Sequence, residues 1–86
     1  MDEISELRKR IDKVDDQILI ALCKRVRVCK AIGTAKRKQS IPIKDQYREN
    51  EVFKRINEKC AHLGLDLGQV EAVYREIVNM CSVVQE

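Results

Sequence analysis

Apolar residues recur at alternating steps of three and four along the first part of the chain. This spacing is typical of one face of an α-helix and predicts a helix over about residues 3–38. The helix should stop before Pro42, because the residue that precedes a proline is pushed out of the helical region. One core position of the heptad pattern holds Ile4, Ile11, Ile18, Arg25 and Ile32, and the other holds Leu7, Val14, Ala21, Val28 and Ala35.

Two shorter helices are predicted beyond Pro42. A helix over about residues 45–61 would have an apolar face formed by Val52, Phe53, Ile56 and Cys60. The following turn, residues 62–65, leads to Asp66, which has the sequence features of a helix N-cap, with Gln69 three residues later as in a capping box. A third helix is therefore predicted over residues 67–85. We expect a single all-α domain spanning residues 1–86.

The predicted first helix is too long for the other two to cover. About 35 residues of helix span ~53 Å, whereas a compact chain of this size has a diameter of roughly 30 Å. An apolar stripe left exposed on the overhang would favour non-specific association. The simplest remedy is a second copy whose long helix packs against the first. The sequence thus predicts an intertwined homodimer, with six helices in one bundle.

Composition agrees with long helices and argues against several other classes. Aromatic residues make up 3% of the chain, with three glycines and one proline, which is too little turn and strand material for a β-sandwich or barrel. No stretch reaches the ~18 apolar residues of a membrane span, and the charged start MDEISELRKR is unlike a signal peptide. The four cysteines lack zinc-ligand spacing, so we expect reduced thiols, no metal and a cytoplasmic protein.

The net charge of +3 is unevenly distributed. No acidic residue lies between Asp16 and Asp45, and such a basic stretch attracts anions. Arg25 lies in the apolar stripe between Ile18 and Ile32, where a charge needs a partner. Arg25 could pair with an internal acid, could be a polar residue that sets the register of the helices, or could bind a ligand carboxylate bidentately. The basic residues of the stretch are Lys24, Arg25, Arg27, Lys30, Lys36, Arg37, Lys38 and Lys44.

Spacing along the first helix indicates which cations can share a ligand. Arg25 and Lys36 are eleven residues apart, or ~16 Å, so their long side chains can converge on one small molecule. Arg8 is seventeen residues from Arg25, or ~25 Å, which is too far within one helix. If two long helices pair antiparallel, Arg8 of one copy approaches Arg25 of the other. This arrangement predicts two equivalent sites shared between the copies.

Three polar residues of the later helices are further candidates, each with a structural alternative. Glu49 lies on an apolar face, where it could contact a ligand or pair with an arginine. Gln85 flanks the apolar face of the last helix, where it could donate to a ligand or belong to a frayed helix end. Asp45 could be an N-cap or a ligand contact.

These residues together resemble the all-helical class of chorismate mutases, which are intertwined three-helix dimers. The resemblance covers essentially the whole chain, with no insertion or deletion between Arg8 and Gln85. It implies the rearrangement of chorismate to prephenate in phenylalanine and tyrosine biosynthesis, without metal or cofactor. The matching motifs are L-R-x-x-I-D-x-x-D at 7–15, the arginine at 25, G-x-A-K at 33–36, P-I-x-D-x-x-R-E at 42–49 and the glutamine at 85.

The resemblance also implies roles for the candidate residues. Arg25, with Arg8 of the partner copy, would hold the two carboxylates of chorismate. Lys36 and Gln85 would donate to the ether oxygen of the breaking C–O bond. Glu49 would accept a hydrogen bond from the ring hydroxyl.

Three neighbouring positions would complete the substrate contacts. Asp45 would lie near the ring hydroxyl through its backbone, and Arg48 would support this region and a carboxylate. Cys81 stands where the family often has a serine that contacts a carboxylate, and a thiol is a poorer donor. We expect the adjacent Ser82 to face elsewhere on the helix.

Other functions remain alternatives at this point. An isochorismate-pyruvate lyase would share the fold, although the D-x-x-R-E run at 45–49 favours a mutase. A non-catalytic regulatory module of a larger aromatic-biosynthesis enzyme is a second alternative. A basic nucleic-acid binder is a third, but it leaves Arg25 and Glu49 on apolar faces unexplained, since phosphate-binding cations point outward. We therefore predict a small dicarboxylate as the ligand, with neither nucleic acid nor membrane as partner.

Overall fold

A computed structural model describes residues 2–86 as three helices: α1 (Glu3–Lys38), α2 (Gln46–Leu63) and α3 (Leu67–Gln85). No strand occurs within these residues, so the prediction of an all-α chain of three helices is confirmed. The first position of the predicted domain, Met1, lies outside the described residues. α2 ends two residues later than the predicted 61, because Gly64 adopts a left-handed conformation (φ 70°) and its N–H bonds the carbonyl of Cys60.

An aspartate caps the start of every helix. A carboxylate at this position satisfies an otherwise unpaired N–H and interacts favourably with the positive end of the helix dipole. Asp45 is therefore an N-cap, one of the two roles considered for it. The side chains of Asp2, Asp45 and Asp66 accept from the backbone N–H groups of Ile4, Arg48 and Gln69 at 3.1, 3.0 and 2.9 Å, respectively.

α1 ends in a tight turn that reverses the chain. The N–H of Ile41 donates to the carbonyl of Lys36 at 2.9 Å, and the N–H of Ser40 donates to the carbonyl of Arg37 at 3.3 Å. This pair of bonds is a Schellman motif, and Ser40 takes the left-handed conformation it requires (φ 55°). The loop before α2 consequently passes close to the last turn of α1.

α3 is the central element, because it packs against both α1 and α2, whereas α1 and α2 do not pack on each other within residues 2–86. The buried apolar side chains are few and come from all three helices: Cys29, Ile56, Cys60 and Cys81. They place the small core beside the second half of α1.

The first half of α1 extends beyond this core. The chain measures 58 × 25 × 16 Å, and its long dimension reflects the 36 residues of α1. The predicted apolar stripe is present but uncovered within the chain. Its members Ile4, Leu7, Ile11, Val14 and Ile18 are all between 45% and 58% exposed.

Candidate active site

A cavity of about 340 Å³ lies between the second half of α1, the start of α2 and the end of α3. All three helices contribute charged or polar side chains to its wall. Of the eight predicted site residues, Arg8 lies outside the cavity and is exposed on the first half of α1. The seven other predicted site residues line it: Arg25, Lys36, Asp45, Arg48, Glu49, Cys81 and Gln85.

Lys36 lies at the centre of a hydrogen-bond network in this cavity. Its Nζ donates to the main-chain carbonyl of Ile43 at 2.6 Å and to Oε1 of Gln85 at 3.2 Å. The first of these bonds follows from the Schellman turn, which brings the loop back past the helix end. An ammonium group has three N–H donors. One donor of Lys36 therefore remains for a ligand.

Gln85 is a fixed side chain and not a frayed helix end. Only 9% of it is exposed, and it lies in the last turn of α3. Because Oε1 accepts from Lys36, the amide nitrogen is left as the donor. The amide also lies beside the Cys29 thiol, where its hydrogen bond favours the thiolate form. The site thus contains two adjacent donors, one cationic and one neutral.

Within the described residues 2–86, Arg25 contacts sulfur and no acid. Its Nη1 lies 2.7 Å from Sγ of Cys81 and 3.9 Å from Sγ of Cys29. A salt bridge, the alternative role considered for Arg25, is not observed, since no carboxylate pairs with it among residues 2–86. Most of its five donors are therefore available to an anion. The ion pairs of the described residues are Lys9–Glu6, Arg48–Glu51 and Arg75–Glu71.

The two thiols beside Arg25 form the inner wall of the cavity. Burial and, to a smaller extent, the neighbouring Cys81 raise the pKa of Cys29 to about 11, although Arg25 and Gln85 act in the opposite direction. Cys29 is therefore a neutral thiol at pH 7. It was not predicted as a site residue, although it lies four residues after Arg25 and hence on the same face of α1.

Glu49 and Arg48 lie on the α2 side of the cavity without pairing to each other. Arg48 instead bonds the exposed Glu51 at 3.5 Å. Glu49 is half-buried and forms no ion pair within the described chain, so its structural alternative, pairing with an arginine, is not what is observed. Its carboxylate is free to accept a hydrogen bond from a ligand.

Ser82 also lines the cavity, contrary to the expectation that it faces elsewhere. The cavity opens between α2 and α3, so a residue turned by about 100° from Cys81 still reaches it. Ser82 also lines an adjoining cavity of about 500 Å³, which contains Lys44 and Arg75. That larger cavity includes neither Lys36 nor Gln85, so we regard the 340 Å³ cavity as the candidate site.

The charges of the site suit a small anion that also carries a hydroxyl group. Three cations, Arg25, Lys36 and Arg48, face two carboxylates, Asp45 and Glu49. Donors held in place before a ligand binds can stabilise charge that develops during a reaction. Within residues 2–86, no cluster of three or more histidine, cysteine or acidic side chains could hold a metal ion. None of the described helices is long and apolar enough to span a membrane.

Known proteins support the resemblance inferred from the motifs. The chain is 38% identical over 84 residues to a bifunctional chorismate mutase/prephenate dehydratase of Aquifex aeolicus, covering 94% of this chain but 23% of that protein. It is 32% identical over 66 residues to a chorismate mutase of Methanocaldococcus jannaschii, covering 77% of this chain and 67% of that one. The chain thus spans about a quarter of the bifunctional relative.

A solved structure has the same fold along its whole length. This conserved hypothetical protein from Pyrococcus furiosus superimposes with a TM-score of 0.82 at 32% identity, covering 100% of this chain and 99% of that chain. The chorismate mutase type II family matches residues 7–86, which include all the motifs discussed above. The predicted family is therefore confirmed, and this chain belongs to the chorismate mutase type II family.

Proposed function

We propose that residues 1–86 form a single chorismate mutase domain that converts chorismate to prephenate. The observation that carries this proposal is the 3.2 Å contact between Lys36 and Gln85 in a cationic cavity. One N–H of Lys36 and one N–H of the Gln85 amide remain available there, so two donors can reach one ligand oxygen. The family membership supplies the substrate.

The chemistry requires what this cavity offers. The rearrangement breaks a C–O bond and forms a C–C bond within one molecule, so it needs no nucleophile, metal or cofactor. The protein has to hold the substrate in a compact, chair-like conformer. It also has to place donors where negative charge develops on the ether oxygen. We assign the second task to Lys36 and Gln85.

The remaining side chains would hold the substrate. Arg25 would bind one carboxylate, with Cys81 against its guanidinium at 2.7 Å. Glu49 would accept from the ring hydroxyl, because its carboxylate has no partner in the described chain. Arg48 and Asp45 would lie beside this group at the start of α2. One carboxylate of the substrate then still lacks a cation.

We propose that Arg8 of a second copy supplies that cation in a six-helix, intertwined homodimer. The exposed stripe on the first half of α1 supports this, since a partner helix would bury it. In an antiparallel α1 pair, Arg8 of one copy faces Arg25 of the other. An adjoining cavity of about 470 Å³, lined by Val52, Ile56 and Val70 beside Arg25, offers an apolar surface for the partner's first turns.

We also propose a cytoplasmic location. All four cysteines are free thiols, and Cys29, Cys60 and Cys81 are buried, as is typical of proteins in a reducing compartment.

Purified protein and chorismate test the function directly. We expect loss of chorismate absorbance with prephenate as product, and retained activity after exhaustive dialysis against a chelator.

Lys36→Ala should lower kcat by at least ~10²–10³, because it removes a donor to the ether oxygen. The exposed neighbour Lys38→Ala is the matched control. Release of pyruvate from isochorismate would indicate the lyase, and turnover of neither compound would indicate the regulatory module. Sedimentation should give twice the 10.0 kDa chain mass.

A further inference from the structure

The donor Gln85 belongs to the last turn of α3, and its position depends on how that turn is held against α1. Helix ends fray because their final carbonyl groups have no partner within the helix. Yet the side chain of Gln85 is buried and lies 3.2 Å from Lys36. Two residues of α1 that are not proposed to contact the substrate explain the position of the Gln85 side chain.

The first is Gly33, which permits a very close approach of the two helices. A Cβ atom at Gly33 would lie 2.9 Å from Cα of Gln85 and 3.1 Å from its Cβ and Cγ. The nearest of these is a main-chain atom, so any larger residue would push the last turn of α3 away. The second half of α1 can therefore contact α3 at this point only because position 33 lacks a side chain.

The second is Arg37, which bonds the main chain of Gln85. Its Nη1 donates to the Gln85 carbonyl at 2.6 Å, and its Nη2 donates to the hydroxyl of Thr34 at 3.2 Å. The Thr34 hydroxyl in turn donates to the carbonyl of Lys30, which fixes its orientation. The guanidinium is thus oriented by its own helix and places a positive charge at the negative end of the α3 dipole.

We infer that Gly33 and Arg37 are positioning residues that hold the Gln85 amide beside Lys36 for its role in the reaction. This inference rests on the proposed function. Together the two residues form what we call the Gln85 seat: Gly33 sets the distance between the helices, and Arg37 binds the carbonyl that would otherwise be free. Neither residue contacts the reacting atoms. Their effect on turnover passes entirely through Gln85.

Three single variants and two matched controls test the seat. Arg37→Ala should lower kcat about 5–10-fold with little change in KM, because the misplaced donor acts in the transition state. Arg37→Lys, which retains a donor, should recover part of that loss. Gly33→Ala should lower kcat by about 10², since a displacement near 1 Å can cost that much. The matched controls are Lys38→Ala, with the same charge in the same turn, and Gly68→Ala, where the added Cβ meets only a side-chain atom at 3.5 Å.

A double-variant cycle separates positioning from general destabilisation. In a Gln85→Ala background, Arg37→Ala and Gly33→Ala should have almost no further effect on kcat. A loss that persists undiminished in that background, or an Arg37→Ala variant as active as Lys38→Ala, would overturn the inference.

Amide exchange measured by NMR tests the seat without any substrate. The amides of residues 84–86 should exchange at least ten-fold faster in Arg37→Ala than in Lys38→Ala, while those in the middle of α1 should not change. Equal exchange in the two variants would contradict the seat. If the wild-type protein does not turn over chorismate, the proposed function fails, but this measurement still decides whether Arg37 holds the end of α3.

Discussion

The two halves of α1 carry the same apolar pattern but lie in different surroundings. In the second half, Cys29 and Gly33 are buried against α3, and Arg25 and Lys36 face the cavity. In the first half, the stripe from Ile4 to Ile18 is about half exposed, and Arg8 is exposed and lies outside the cavity. One continuous pattern therefore serves two kinds of contact: one within the chain and, as we propose, one between copies.

This difference shows that an apolar stripe predicts burial but not the partner that provides it. A helix of 36 residues is longer than either of its neighbours, which have 18 and 19 residues. The part of the stripe that α3 reaches becomes core. The remainder is available to a second copy, together with the cation that would complete the site.

A charge placed in the uncovered stripe should have the largest effect. Ile11→Glu would bury an unpaired carboxylate in the proposed α1–α1 contact, which strongly disfavours association. We expect a monomer of 10.0 kDa with no detectable mutase activity. Sedimentation and the chorismate assay measure both results. The exposed Lys13→Glu, on the opposite face of the helix, is the control. A fully active Ile11→Glu monomer would contradict the shared site.

Exchange of subunits tests whether the two halves of α1 meet across the proposed dimer interface. Arg8→Ala and Arg25→Ala should each lower kcat/KM by ~10²–10³, because each removes a contact to a substrate carboxylate. In a mixed dimer, one site carries both changes and the other carries neither. Random exchange makes about half the dimers mixed, each with one intact site of two, so activity should recover to roughly a quarter of wild type.

The control for this experiment is Lys9→Ala, which removes only the exposed ion pair with Glu6 and should retain full activity. Mass analysis has to verify that the subunits exchange. If they do and activity stays at the level of the separate variants, Arg8 does not act across the interface.

The proposed donor role of Gln85 predicts that the activity of a Gln85→Glu variant depends on pH. In Gln85→Glu, an ionised carboxylate cannot donate, so activity at pH 7 should fall by about 10². Activity should rise again as the pH is lowered and the carboxyl is protonated, whereas wild-type activity should change little over the same range. The profile of kcat/KM between pH 4.5 and 8 measures this. Parallel profiles would contradict the assignment of Gln85 as a donor.

The smallest effect is expected for Cys29, one of the two thiols at the inner wall of the cavity. It is a loss of folding stability that occurs only at high pH. Because the folded-state pKa of Cys29 is about 11 and its ordinary value is 9.0, the folded protein retains a proton that the unfolded chain loses. The stability of wild type should therefore fall as the pH rises from 9 to 11, by about 2 kcal/mol more than that of Cys29→Ala. Cys23→Ala, at an exposed thiol, should behave as wild type. Urea unfolding at several pH values measures the difference.

Much of the site could be predicted because it depends on spacing within single helices. The interval between Arg25 and Lys36 follows from the helical rise, and the aspartate at position 66 marks the start of a helix in any fold. Arg25 was identified because a charged residue occupies a heptad position that is otherwise apolar. These signals are local, so they can be read from the sequence without knowledge of the tertiary structure.

The features that escaped prediction depend on how the helices cross. Ser82 lines the cavity because of the opening between α2 and α3, which no single-helix pattern specifies. Arg37 resembles every other exposed cation of the basic stretch, and only its bond to the Gln85 carbonyl distinguishes it. The end of α2 is an exception, because the left-handed Gly64 that sets it is a local feature, and the predicted end at residue 61 came two residues too early.

The turn after α1 has a consequence for mutational tolerance. The loop orients Lys36 through the main-chain carbonyl of Ile43 and not through a side chain. Every amino acid has a main-chain carbonyl. The orientation of the Lys36 ammonium group therefore constrains the path of the loop more than the amino-acid composition of the loop. Exposed positions such as Ile41 and Lys44 can therefore accumulate substitutions as long as the Ser40 turn and Pro42 preserve that path. This loop can consequently diverge in sequence among related enzymes that retain the same placement of the lysine.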